Sequence, residues 1–204
     1  MSIPSILRIP LHNSGMHSHK KLDMTCISSS LRPKSFASSL PGISLFTTNL
    51  KKIVAFSAVR GLTSLEDCFA EGKLQTILPS EEKAWNSLRI ARDNLREAEE
   101  AVKCGLLRAA INSTYVAIFH AARAILFRDG IREKSQFCIE QYLHTYVTSG
   151  ALELKWVVFY GNIRSKRDIN QYGFEPPATK EEVEAYVHLA AQFLDRMERL
   201  LVNR

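Results

Sequence analysis

Residues 112–126 limit what this chain can fold into more than any other stretch. Ile111, Tyr115, Ile118, Ala122 and Ile125 recur at steps of four, three, four and three, and Phe119 and Leu126 widen the stripe. That rhythm marks one buried face on a helix of about 3.6 residues per turn. Ala117, Ala121 and Ala124 remove bulk, so a second helix can approach closely. A helix apolar over more than half its circumference needs cover on two sides. It therefore belongs at the middle of a bundle, or at the middle of a dimer.

The flanking sequence predicts helices to cover it. Ser64 and Asp67 form a capping pair for a short helix that Gly72 stops, and Leu65, Cys68 and Phe69 pack it on the main body. Lys73 to Leu78 then leads to Ser80, the N-cap of the first long helix, with Glu81 and Glu82 at the positive end of its dipole. Ala84, Leu88, Ala91, Leu95, Ala98 and Val102 form its seam, and its outer face is charged and solvated. Cys104-Gly105 leaves room only for a turn, so the central helix, residues 106–128, runs back antiparallel. A third helix is expected over 135–148. A fourth is expected over 151–168, with Leu152, Trp156, Tyr160 and Ile163 inward. Val157, Val158 and Phe159 favour a strand by propensity, but no second strand is evident to pair with them. Pro176-Pro177 forces a loop, and Thr179 with Glu182 is a capping box for a last helix over 180–202. The expected fold is all-α: an up-and-down bundle of four to five helices over 64–204, behind a leader over 1–63.

Charge and composition separate these two parts. The net charge is +6, but residues 1–64 hold eight Lys or Arg against one acid, Asp23. The remainder carries 19 basic and 20 acidic side chains, a net of −1. The basic character thus belongs to the leader, and the fold lacks the strongly basic surface usual for nucleic-acid binding. The leader is Ser-rich, broken by Pro10, Pro33, Pro41 and Gly42, and without lasting periodicity, so it reads as disordered or weakly ordered. Its composition is that of a transit peptide. The want of an Arg-rich amphipathic helix favours an over-extended start instead. Cys26, Cys68, Cys104 and Cys138 stand alone in the sequence, which fits a reducing, cytoplasmic setting better than a secreted one. No run of eighteen apolar residues suggests a membrane span.

Few stretches offer chemistry. His17 and His19 have ligand spacing but no stiff frame, and His120, His144 and His188 fall on three different helices, so no metal or cofactor is expected. No G-x-S-x-G, phosphate-binding Gly-rich loop or H-E-x-x-H occurs. The unusual cluster closes the fourth helix, at residues 164–174. Arg167 follows Ile163 by four and Tyr160 by seven, so it shares the helix's apolar face. An inward arginine must be paired or stacked, or must face a cleft where it holds a phosphate.

Residues 115–124 on the second helix, Arg167-Asp168 followed by Tyr172-Gly173, the lead-in at 65–69 and the order of elements together resemble a HEPN domain over residues 64–202. That resemblance implies a helical bundle that dimerises, often encoded beside a small nucleotidyltransferase. Many members are metal-independent endoribonucleases of toxin–antitoxin or defence systems, and others are RNA- or nucleotide-associated modules without catalysis. Catalytic members carry Arg, a polar residue, and His a few positions on. The Arg stabilises phosphate and the His moves a proton at the ribose 2′-hydroxyl. Here Arg167 and Asp168 match the first half, but Tyr172, Gly173 and Phe174 stand where histidine is expected, and tyrosine is a poor general base near neutral pH. The carried-over site is thus Arg167, Asp168 and Tyr172 as the catalytic set, Arg164 and Arg167 as phosphate or nucleotide ligands, and His120 as a substitute acid or base. The expected function is an RNA- or nucleotide-associated accessory module, a homodimer working with a nucleotidyltransferase antitoxin. An endoribonuclease with a non-standard proton-transfer group and a purely structural dimerisation module are the alternatives.

Overall fold

Ser64 caps the first helix. Its Oγ accepts from the Asp67 amide at 3.1 Å while Asp67 Oδ2 accepts from the Ser64 amide at 2.8 Å. The computed structural model describes residues 64–174 and 178–203. The leader and the Pro176-Pro177 loop lie outside the described residues. Elements follow in the order α1 (Leu65–Ala70), β1 (Leu74–Thr76), α2 (Glu81–Lys103), α3 (Leu107–Arg128), β2 (Ile131–Glu133), α4 (Gln136–Thr148), α5 (Leu154–Tyr172) and α6 (Lys180–Val202). The fold is an all-α bundle, with one small strand pair among the described residues.

The central helix is α3, as its rhythm predicts. Ala117, Ile118, Ala121, Ala122, Ile125 and Leu126 are fully buried. The helix packs on α2 along its length and also meets α4, α5, α6 and β2. The alanines do what their size allows: Ala84, Ala91 and Ala98 of α2 are fully buried in the same seam. α6 closes the remaining side with Val183, Ala190, Phe193 and Met197, each fully buried. By length and apolar composition α3 is the one helix among the described residues that could cross a membrane. The core helix of a bundle has the same composition, and α3 is mostly buried within the fold.

Thr179 and Glu182 form the expected capping box of α6, with bonds of 2.9 and 3.2 Å. Ser80 caps α2 through the Lys83 amide at 3.2 Å. The end of α3 is fastened by a polar knot. Asp129 accepts from Arg128 Nε at 2.9 Å and from the hydroxyls of Tyr142, at 3.0 Å, and Tyr146. Arg128 also donates to the Leu200 carbonyl. One carboxylate and one guanidinium thus join α3, α4 and α6.

Three features depart from the sequence reading. First, residues 74–76 form a strand paired antiparallel with 131–133, in the register Leu74 to Glu133, Gln75 to Arg132 and Thr76 to Ile131. Gly130 makes this approach feasible. It has φ +74°, and a Cβ there would lie 2.7 Å from the Ile77 carbonyl oxygen. Second, the fourth helix starts at Leu154 and runs on to Tyr172. Its start is delayed because the Ala151 and Leu152 amides bond back to the Tyr146 carbonyl. Its end is prolonged because Asn170 Nδ2 donates to the Arg108 carbonyl at 3.1 Å and to Asn112 Oδ1 at 3.2 Å, fastening the extra turn to α3. Third, Cys68 and Cys138, isolated in the sequence, meet in space and form a disulfide across a separation of 70 residues. Both are fully buried, so α1 is tied to α4 from within the core.

A cross-link over so long a loop acts largely on the unfolded chain. Reductant is therefore expected to lower the unfolding free energy by about 2–4 kcal/mol, measured by denaturant titration. A Cys68→Ala/Cys138→Ala double variant should be indifferent to reductant. Equal midpoints for the wild-type chain with and without reductant would contradict the cross-link.

Candidate arginine site on the fifth helix

α5 buries Trp156, Tyr160 and Ile163, and Arg167 continues that face one turn on. Its guanidinium is neither bare nor loose. It lies 5.3 Å from the centroid of the Tyr115 ring on α3, and its NH1 donates to Asp168 Oδ1 at 2.9 Å. The inward arginine is thus both stacked and paired, and its partner is its own sequence neighbour. Arg164, one turn back, donates to Glu140 Oε2 of α4 at 3.3 Å and sits 5.7 Å from the Phe137 ring. Its Nε is buried and has no hydrogen-bond partner among the described residues. Each guanidinium therefore rests on an aromatic ring and is held by one carboxylate.

Beneath the arginines lies a tyrosine pair. Tyr160 is fully buried and its hydroxyl donates to the Gln136 carbonyl at 3.3 Å. Tyr115 is buried with its hydroxyl lacking a hydrogen-bond partner among the described residues. Burial pushes the Tyr115 phenol up to about 12, against the pull of the two arginines, and pushes Tyr160 well above its ordinary range. Both are neutral hydroxyls near pH 7. They provide a ring surface and a proton donor, not a base. Burial also raises Glu140 above the usual carboxylate range, although Arg164 pulls it down.

The other residues predicted for the site lie elsewhere. Tyr172 is 75% exposed at the end of α5. Five residues beyond Arg167 is about 140° around a helix, so the helical extension turns it away. His120 follows Tyr115 by the same five residues and faces α2 instead. Ser87 Oγ lies 3.1 Å from its Nδ1 and donates to its carbonyl at 2.9 Å. With the serine proton used on the carbonyl, Oγ accepts from Nδ1–H, which leaves the lone pair on Nε2. Burial, with Arg123 nearby, lowers the imidazole pKa from its ordinary 6.5. Arg123 itself pairs with Glu133 at 2.8 Å and stacks on Phe127 at 4.7 Å. Among the described residues no three His, Cys, Asp or Glu side chains converge as metal ligands. A surface hollow lies between α2 and the turn after it, but Asp93, Glu97 and Glu100 outnumber Arg96 in its lining, the wrong net sign for phosphate.

The family model of the HEPN domain matches residues 84–200, the span that holds α3, both arginines and most of α2 and α6. The chain belongs to the HEPN domain family. A protein of Thermotoga maritima named "UPF0332 protein" is 27% identical over 114 residues, 55% of this chain and 86% of that relative. A protein of Methanocaldococcus jannaschii bearing the name "Putative toxin MJ0605" is 31% identical over 122 residues, 56% of this chain and 85% of its own. Sequence reasoning missed Glu140, and it placed Tyr115 in the core stripe and the family resemblance but not beside the arginines. The usable signal was Gly161, a glycine inside a helix beside two arginines.

The neutral His120 gives a testable pH dependence. The unfolded chain takes up the imidazole proton near 6.5, and the folded chain takes it up only at lower pH. Stability from this residue is complete above 6.5 and falls as pH drops through the window between those two values. Denaturation between pH 7 and 5 should show this acid limb, and a His120→Gln variant should flatten it. A proton resonance of His120 titrating above 6.5 would contradict the assignment.

Proposed function

We propose that this HEPN chain is an RNA- or nucleotide-associated accessory module, acting as a homodimer, with Arg164 and Arg167 as its phosphate ligands. The observation that carries this reading is the pair of guanidiniums on successive turns of α5, each supported by an aromatic ring. Arginines fixed in this way suit planar, bidentate recognition of phosphate oxygens. Neutral tyrosines next to them can bind but are poorly suited to abstract a ribose proton near pH 7. The likeness to a relative named as a toxin supports a place in a two-component system, for which we propose a nucleotidyltransferase antitoxin as the partner. The outward side of α3, with Val116, Phe119 and Phe127 only partly buried, is the surface proposed for the dimer.

One observation favours a second reading, a metal-independent endoribonuclease. His120 has its affinity for a proton lowered by burial and Arg123, which favours the neutral imidazole that a general base requires. The two readings separate in one assay, with purified protein incubated with single-stranded RNA in the presence of chelator. The accessory reading expects binding without cleavage, and an Arg167→Ala variant losing about tenfold or more in affinity, as removal of a charge-assisted bidentate contact implies. Cleavage that disappears in both Arg167→Ala and His120→Gln would establish the enzyme instead. RNA affinity unchanged in Arg167→Ala would remove the arginine site from either account.

A further inference from the structure

Glu140 is the one acid of α4 that meets α5 at the arginines. Its side chain is about 20% exposed and its Oε2 lies 3.3 Å from Arg164 NH2. What makes room for it is Gly161. A Cβ at that position would fall 2.9 Å from Glu140 Oε1 and 3.1 Å from Oε2. Glycine weakens a helix interior, and here it lets a carboxylate rest against the backbone one turn before Arg164. The contact is only half of what a guanidinium offers. Glu140 takes one N–H, and the Arg164 Nε is left without a hydrogen-bond partner among the described residues.

We infer that Glu140 is a built-in competitor for phosphate at Arg164: it occupies the guanidinium in the free protein and is displaced when the ligand binds. This rests on the reading of Arg164 and Arg167 as an anion site. In the free state that site is electrically quiet, because Glu140 and Asp168 balance the two arginines. Such a balance favours ligands able to replace a carboxylate with a stronger, bidentate acceptor, and disfavours weak monoanions. Phe137 keeps the guanidinium in place when the carboxylate leaves, so the site needs no rebuilding. Glu140 can swing because only its far end is held. Besides Arg164, the charged or titratable groups around it are Tyr160 on α5 and His144 one turn along its own helix. The partial mismatch of this pair, a half-buried carboxylate whose proton affinity stays raised despite Arg164, agrees with a contact built to be exchanged.

Two substitutions test this, with a fluorescein-labelled single-stranded RNA as probe and inorganic pyrophosphate as competitor, in the full-length chain. Glu140→Gln keeps the shape and removes the charge. Gly161→Ala keeps the charge and forces the flexible end of the carboxylate to shift. Glu140→Gln should bind the probe about fivefold more tightly than wild type and Gly161→Ala more tightly by a smaller factor, and pyrophosphate should compete more effectively against both. Arg164→Ala should lose affinity and make Glu140→Gln silent in the double variant. Tighter binding in Glu140→Gln that persists undiminished in the Arg164→Ala background would reduce the effect to general charge and overturn the competitor role. Unchanged or weaker binding in Glu140→Gln, with Arg164→Ala and Arg167→Ala still defective, would overturn the competitor and leave the anion site standing. Wild-type affinity in both arginine variants would remove the anion site and this inference together. Circular dichroism melts confirm that each variant is folded.

Discussion

The burial of α3 is the constraint from which the rest of the structure follows. A helix with so little polar surface leaves no freedom in where its neighbours go. α2 must return along it, α6 must close the far side, and α4 and α5 must share what is left. The alanines set how near these neighbours come, since each missing side chain converts directly into a closer approach. The functional residues inherit their positions from this packing. Tyr115 is part of the α3 core, and its ring is also the surface on which Arg167 lies. A core residue thereby becomes the floor of the arginine site, and the position of one guanidinium is decided by how α5 docks on α3.

The site itself shows two ways of handling a cation in a partly desolvated place. Arg123 is given a buried partner and two aromatic faces, and its charge is spent on structure. Arg164 and Arg167 are given one ring and one carboxylate each, which is enough to hold them. The difference lies in the acidic partner, since the three guanidiniums are buried to a similar degree. Glu133 is 7% exposed, so removing its partner would leave a charge stranded, whereas Asp168 is 47% exposed and its pairing is cheap to exchange with solvent.

Much of this was legible in the sequence because it rests on local signals. The α6 boundaries follow from Thr179, Glu182 and the prolines before them, and the antiparallel pair α2 and α3 follows from the short turn at Cys104-Gly105. The inward course of Arg167 was readable from its spacing to Tyr160 and Ile163. What escaped depends on distance along the chain. Strands of three residues are too short to show alternation. Glu140 and Arg164 are 24 residues apart on separate helices, and the cysteines are 70 apart. The position of Tyr172 was not legible either, because the bonds of Asn170 to α3 prolong the helix and leave the tyrosine exposed at its end.

The strand pair and the disulfide act together on the chain's connectivity. Both join the segment before α2 to the segment after α3, so the α2–α3 hairpin becomes a loop sealed at its base. Its tip, at Cys104 to Leu106, is held by a separate small cluster that includes Val102, Ile111, Val183 and Val187. Separating α2 from α3 at the base requires the disulfide and the strand pair to break, whereas at the tip it requires this cluster and the bonds of Asn170 to give way. The hairpin is closed covalently at one end and by packing and hydrogen bonds at the other, and α5 is fastened to the second.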